Sequence, residues 1–212
     1  QIPKLGDIKF AIVGEEINDA AIGRRKMWLS TILDNIQPGD EINAITFHNY
    51  FSVGFSKDDP ANPCKSHSTT KMRRYLHQQF EMLDELESAT FQAVRKVNQG
   101  KLVGHELDIW ITEFNTLDDE SPYTGSWLHG LANAAMLLKY LETPEITKVI
   151  NHTMLSDGVF GNIFESNNDF ANFTCHAKLP IGNPITRPGE FTAVGNALNQ
   201  IGMALRNAVK AT

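Results

Sequence analysis

The sequence has only two cysteines, no excess of basic residues and no long apolar run, and each shortage excludes a class of protein. Cys64 and Cys175 lie far apart in loops rich in proline and asparagine, so their spacing does not suggest a metal site, although they could pair in an oxidising compartment. No run of about 18 apolar residues occurs, so the sequence predicts no membrane-spanning segment. The net charge of −6 argues against a nucleic-acid backbone or an anionic membrane as the main partner.

Short motifs for nucleotides, metals and an activated serine are missing as well. The first apolar run continues as VGEEIND, with one glycine where a dinucleotide-binding loop needs several. No GxxxxGK[ST], HExxH or GxSxG pattern occurs. We therefore expect no cofactor and no metal. The sequons at Asn151 and Asn172 would accept sugar only in a secreted eukaryotic protein, so the localisation stays open, with a secreted or periplasmic one slightly favoured.

Apolar runs and helical patterns alternate along the 212 residues, which have the composition of an ordinary globular protein. The predicted strands cover 8–14, 42–51, 106–114 and 147–155, and the predicted helices cover about 22–36, 70–98, 126–143 and 192–209. In the third helix we expect the apolar face to be Leu128, Leu131, Ala135 and Leu138. This alternation indicates parallel βαβ units, either in an open sheet or in a (β/α)₈ barrel, and no linker suggests a second domain.

Polar residues follow the apolar runs, at the strand ends where a barrel enzyme carries its functional groups. The run DIWITEFN stops on a glutamate, Glu113, which is followed two residues later by Asn115. A glutamate at a strand end is more often a solvated residue, but the other strand ends are polar too. They offer Glu15 and Glu16, then His48, Asn49 and Tyr50, and finally Asn151 and His152.

Three of these segments resemble retaining glycoside hydrolases of clan A, in particular the α-L-arabinofuranosidase-type family 51 and its relatives. WITEFN resembles the seventh barrel strand, which ends on the catalytic nucleophile, and ITFHNYF looks like the sixth. The segment HGLANAAMLLKYLETPEITKVINHTMLSDG is similar to the helix and strand that follow the nucleophile. The resemblance implies a (β/α)₈ TIM barrel with Glu113 as nucleophile and a carbohydrate substrate.

The resemblance also implies substrate contacts, each of which has an alternative. His48 or Tyr50 would hold the nucleophile or a sugar hydroxyl, or both would be packed residues of the core; strand alternation turns Asn49 the other way. The other proposed substrate-binding residues, which could equally be loop packing or solvated strand ends, are Asn49, Asn115, Tyr123, Trp127 and Asn151.

The general acid/base of the clan, a glutamate preceded by asparagine on the fourth strand, has no counterpart because no Asn-Glu dipeptide occurs. If 8–14 is the fourth strand, Glu15 or Glu16 must serve. If it is the fifth, as the single helix before 42–51 favours, the acid/base lies in an N-terminal half of the barrel. We therefore expect 1–212 to be a single segment supplying about the last four βα units of a longer barrel, with that half as its partner. A carbohydrate-binding barrel without activity is the alternative function.

Overall fold

The structure of the protein, a computed structural model, describes most of the predicted strands and parts of the helices. It covers residues 8–16, 28–52, 104–117, 127–156, 161–164 and 189–206, and the single positions 70, 73, 74, 77, 81, 95, 98 and 99. The single positions from 70 to 99 are helical, in agreement with the helix predicted there. Cys64, Cys175 and Tyr123 lie outside the described residues.

Six strands and three helices have described bounds. They are β1 (Ala11–Glu16), α1 (Trp28–Asn35), β2 (Ala44–Ser52), β3 (Asp108–Leu117), α2 (Trp127–Glu142), β4 (Ile146–Asn151), β5 (Leu155–Ser156), β6 (Ile163–Phe164) and α3 (Ala193–Leu205). Thr192 caps α3, since its side-chain oxygen accepts a hydrogen bond from the Gly195 N–H. The short pair β5–β6 has no counterpart in the predicted elements, because two-residue strands leave no periodic pattern. None of the described helices is long and apolar enough to cross a membrane.

Strands β1 to β4 form one parallel sheet whose spatial order equals their order in the sequence. This is the arrangement that successive βαβ units generate, so the α/β architecture is confirmed. The first strand runs two residues further than predicted, because Glu16 still pairs with His48 beyond an irregularity in the register after Val13. Gly14 permits the close approach of β1 to β2, since a Cβ there would lie 2.5 Å from the Thr46 carbonyl oxygen.

Two compact units make up the chain. The first comprises Gln1–Tyr50, Phe80–Phe114 and Tyr140–Ile150, and the second comprises Phe51–Gln79, Asn115–Lys139 and Asn151–Thr212. Fully buried side chains of the first unit include Ile45, Phe47, Ile109, Ile111 and Phe114. The buried residues of the second include His129, Met136 and Val194. Whether the whole of 1–212 is one barrel segment stays a prediction.

Helix α2 buries a different face from the one that we expected. Leu131 and Leu138 are exposed, and the buried side chains are those of His129, Ala132, Asn133, Met136 and Tyr140. The prediction was wrong because this helix is apolar on two sides, and periodicity alone does not distinguish them. The buried side carries polar groups that satisfy one another by hydrogen bonds.

Candidate active site

Glu113 is the sixth of the ten residues of β3, so the strand extends to Leu117 and does not stop at the glutamate as the sequence suggested. Ile109 and Ile111 before it and Phe114 after it are completely buried, as expected for a parallel strand. Glu113 differs from these buried neighbours because its side chain retains 34% of its accessible surface. The strand therefore fixes the backbone of Glu113 while leaving the carboxylate within reach of solvent.

Two side chains of β2 contact the carboxylate. The Tyr50 hydroxyl donates a hydrogen bond to Glu113 Oε2 over 2.5 Å, and His48 Nδ1 lies 3.5 Å from the same oxygen. His48 and Tyr50 are two positions apart on one strand, so their side chains emerge on the same face of the sheet. The resemblance implied that one of the two would hold Glu113 or a sugar hydroxyl; the structure places both beside Glu113, and their role towards a substrate stays a prediction. We name Glu113, Tyr50 and His48 the carboxylate group.

The contacts of the carboxylate group are asymmetric. Both described partners approach Oε2, and among the described residues Oε1 has no hydrogen-bond partner. Both described partners thus hold the same oxygen of the carboxylate in place. A carboxylate presented in this way suits nucleophilic attack, because a fixed attack distance supplies much of the rate of such reactions.

Asn49 lies on the opposite face of β2 and does not belong to the carboxylate group. It is only 2% exposed, and its side-chain amide donates a hydrogen bond to the Tyr140 hydroxyl of α2. Tyr140 also packs edge-on against Phe114, with ring centroids 5.5 Å apart. Burial raises the pKa of the Tyr140 hydroxyl well above its usual range. This geometry gives Asn49 a packing role, and the substrate contact predicted for it stays a prediction.

Asn115 belongs to a buried polar cluster in the second unit. Its side-chain oxygen accepts a hydrogen bond from His129 Nε2 over 2.9 Å, and its amide donates to the His152 carbonyl. Because an amide oxygen can only accept, His129 Nε2 carries the proton. The side-chain amide of Asn133 donates a hydrogen bond to the His129 carbonyl. The Asn133 side-chain oxygen accepts a hydrogen bond from Asn151 Nδ2 over 3.1 Å. We name the His129 cluster after its centre; it comprises Asn115, Thr116, His129, Asn133 and Asn151.

Burial determines the protonation of the His129 cluster. Loss of hydration lowers the pKa of His129 to about 4, and a hydrogen bond with the Thr116 backbone opposes the shift only in part. The ring is therefore neutral at physiological pH. Asn115 and Asn151, both predicted to bind substrate, are placed by this cluster, and their contact with a sugar stays a prediction.

The remaining predicted site residues are described in part. Trp127 opens α2 with 64% of its surface exposed, which leaves its ring available for a ligand. Glu15 and Glu16 end β1, but only their backbone is described, and Tyr123 lies outside the described residues. In the described part of the chain, no three histidine, cysteine or acidic side chains are grouped so as to hold a metal ion.

The sequence analysis did not identify Tyr140, His129 and Asn133 as hydrogen-bond partners of Asn49, Asn115 and Asn151. Their spacing along α2 is a helical repeat of three to four residues, which was the only available signal. Polar residues in that pattern usually mark a solvated face, so the signal pointed away from the core.

Comparison with known proteins adds evidence on the fold. No protein-family model and no curated protein matches the sequence. Among solved structures, it is similar to AbfB, a family 51 α-L-arabinofuranosidase from Bifidobacterium longum, with a TM-score of 0.54 and 11% identity. The match covers 75% of this chain and 32% of that one, so this chain spans about a third of the enzyme's length. The described sheet and helices thus share the fold of part of a glycoside hydrolase.

Proposed function

We propose that this chain carries the nucleophile of a retaining glycoside hydrolase, and that the nucleophile is Glu113. The single observation that carries the proposal is the carboxylate group: a glutamate within a buried parallel strand whose side chain is one third exposed, with one oxygen held by Tyr50. The similarity of the fold to part of an arabinofuranosidase supports the substrate class, a glycosidic bond of an oligosaccharide or polysaccharide.

In the proposed reaction, Glu113 Oε1 attacks the anomeric carbon of the sugar. The bond from that carbon to the leaving oxygen breaks, and a second carboxylic acid protonates the oxygen. Water then attacks the anomeric carbon of the glycosyl–enzyme, gives its proton to the second carboxyl group, and releases Glu113. Tyr50 and His48 hold Glu113 in the orientation that the attack requires. Neither step requires a metal or an organic cofactor.

The second carboxyl group must lie about 5–5.5 Å from Glu113 in a retaining enzyme. Glu15 or Glu16 would provide it if β1 is the fourth strand of a barrel. We favour the fifth strand for β1, which assigns the acid to another part of the barrel. Sugar contacts are proposed for Trp127 and Tyr123, whose rings offer apolar faces, and for the amides of Asn115 and Asn151.

Replacement of Glu113 by glutamine tests the function. Glu113→Gln keeps the size of the side chain but removes the attacking charge, so turnover of an aryl α-L-arabinofuranoside should fall by about 10³-fold or more. Binding of arabino-oligosaccharides, measured by calorimetry, should survive. The matched control is Glu142→Gln, an exposed glutamate of α2, which should leave turnover unchanged.

Two results would contradict the proposal. Equal turnover in Glu113→Gln and the unmodified protein would exclude Glu113 as nucleophile. Sugar binding without any turnover, in a form of the protein that includes the second carboxyl group, would favour the alternative, a carbohydrate-binding barrel that lacks activity.

A further inference from the structure

Helix α2 carries a row of apolar side chains that face solvent. Leu131, Leu138 and Leu141 are 56%, 45% and 48% exposed. Ala134 lies between the first two and is half-buried. The four positions follow one another in steps of three, four and three residues. Because 3.6 residues make one helical turn, they lie along one line of the helix. We name these four residues the leucine stripe.

The side of α2 that belongs to the core is a different one. Its buried residues include His129, Met136 and Tyr140. Met136 is two residues away from both Ala134 and Leu138, which places it about 200° around the helix from each of them. The leucine stripe is thus the outward side of α2, where a helix ordinarily carries charged and polar residues. A contiguous exposed apolar row of this kind indicates a surface that another protein surface covers.

The leucine stripe carries no charge, which restricts the kind of partner. From Trp127 to Leu141 the only charged side chain of α2 is Lys139, since burial keeps His129 neutral. Lys139 directly follows Leu138 and therefore lies about 100° around the helix from it. A strongly acidic or basic partner would gain no charge pairing here. The surface that fits the stripe is itself apolar and narrow.

The spacing of the leucine stripe is the same when it is read from either end. Two copies of α2 laid against each other in opposite directions would bring Leu131 of each copy to Leu141 of the other. In the same arrangement Ala134 of each copy meets Leu138 of the other. A small residue opposite a large one lets two helices interdigitate, and alternating steps of three and four residues are typical of such pairs. The stripe therefore has the self-complementarity that a two-fold contact requires.

We propose that the leucine stripe is the contact surface of a dimer, in which two copies of this chain pair their α2 helices in opposite directions. Each helix then places its positive N-terminal end beside the negative C-terminal end of the other. Trp127 lies one turn before the stripe, so its ring stays outside the paired positions. The carboxylate group has no member in the stripe, and the dimer therefore does not depend on the proposed function.

The size of the leucine stripe determines how strong the dimer can be. Three half-exposed leucines and their immediate neighbours would bury roughly 400–500 Å² on each copy, or about 1,000 Å² in total. Obligate dimers bury about 2,000 Å² or more, whereas transient contacts bury less than about 1,200 Å². We therefore expect a reversible dimer with a Kd on the order of 10–100 µM.

Sedimentation velocity of the 212-residue chain, at loading concentrations from about 1 to about 300 µM, tests the dimer. The unmodified chain should change from monomer to dimer over this range. Leu131→Glu and Leu141→Lys should each raise the Kd by about 10-fold or more, because each places a charge against an apolar side chain of the other copy. Both positions are exposed, so the melting temperatures of the monomers should stay within about 2 °C of the unmodified value.

The double variant Leu131→Glu/Leu141→Lys identifies the direction of pairing. In helices that run in opposite directions, each new carboxylate faces a new ammonium group, so the double variant should dimerise at least about 5-fold more tightly than either single variant. Helices that run in the same direction would bring like charges together instead. The control Met203→Glu changes a comparably exposed apolar side chain of α3 and should leave the Kd unchanged.

Three results would overturn the proposal. The first is a chain that stays monomeric at about 300 µM, which would assign the leucine stripe to a partner of another kind. The second is a dimer that neither single variant weakens, because its contact surface would then lie elsewhere. The third is a double variant that dimerises no more tightly than the single variants, which would exclude pairing in opposite directions.

Discussion

The carboxylate group and the His129 cluster are both polar and both involve ends of parallel strands, yet they differ in burial and in chemistry. Glu113 and His48 retain about a third of their side-chain surface, and Tyr50 holds one oxygen of the carboxylate. His129, Asn115 and Asn133 have no accessible surface, and their polar groups bond to one another. Polar residues of parallel strands thus form either a solvent-accessible carboxylate with its partners or a buried hydrogen-bonded cluster, and burial distinguishes the two.

The largest expected effect on stability concerns pH and the His129 cluster. The folded protein holds the pKa of His129 at about 4 against 6.5 in the unfolded chain, so between these values the unfolded state binds more protons. Stability is therefore complete above pH 6.5 and is lost as the pH falls towards 4. The loss from this group should be about 3 kcal/mol in the free energy of unfolding.

Urea denaturation at pH 7.5 and pH 4.5 measures this loss. The variant His129→Gln keeps a side-chain N–H for Asn115 but does not titrate, so its stability should change less over the same interval. The control Thr31→Gln, at an exposed position of α1, should retain the pH dependence of the unmodified protein. Identical pH dependence in His129→Gln and the unmodified protein would contradict the role of burial at His129.

The next largest expected effect is a difference in stability between the variants Tyr140→Phe and Tyr50→Phe. Tyr140→Phe removes the hydroxyl that accepts from the buried Asn49 amide, which should cost about 1–3 kcal/mol of stability. Tyr50→Phe removes the partner of a carboxylate that water can reach, so its cost should stay below about 1 kcal/mol.

The loss of turnover should be larger in Tyr50→Phe than in Tyr140→Phe, which is the reverse of their order in loss of stability. Tyr50→Phe loosens the nucleophile and should lower kcat by on the order of 10- to 100-fold, with little change in KM. Tyr140→Phe should leave kcat nearly unchanged at temperatures where it is folded. Chemical denaturation measures the stability of both variants, and steady-state kinetics measures their kcat and KM. Equal losses of stability in the two variants would contradict the difference expected between a buried and an accessible hydroxyl.

Much of the fold was predictable, because it depends on local patterns. The apolar runs around Ile45 and Ile109 lie in the observed strands, and their order gives the parallel sheet. That His48 or Tyr50 would hold the nucleophile or a sugar hydroxyl was implied by the resemblance to glycoside hydrolases, and the structure places both side chains beside Glu113. The order of the strands needs only the direction of the chain and the period of a strand.

The internal hydrogen bonds of Asn49, Asn115 and Asn151 were not predictable in the same way. Their contact with substrate stays a prediction, and the structure adds a partner within the same unit for each: Tyr140, His129 and Asn133 respectively. Those partners belong to α2, whose apolar residues on two sides concealed its buried face. Hydrogen bonds between distant segments leave no periodic signal in a single sequence.

The smallest expected effect comes from an ion pair away from both groups. Arg95 Nε lies 2.7 Å from Glu145 Oε1, and the hydrogen bond from Arg95 holds the pKa of Glu145 below its usual value. Because both side chains remain partly exposed, Glu145→Gln should cost no more than about 1 kcal/mol, and that cost should shrink in 1 M salt. Thermal denaturation at low and high salt measures it. A larger loss of stability in Glu145→Gln than in Tyr140→Phe would contradict the expectation that the buried hydrogen bond contributes more than the partly exposed ion pair.

Mass spectrometry of the protein after incubation with a 2-fluoro-α-L-arabinofuranosyl substrate tests the central claim most directly. The fluorine slows hydrolysis of the glycosyl–enzyme, so the label remains on the residue that attacked. If Glu113 is the nucleophile, the label appears on a peptide that contains Glu113 and is absent from Glu113→Gln. A label on any other carboxylate, or an active enzyme that acquires none, would contradict the account.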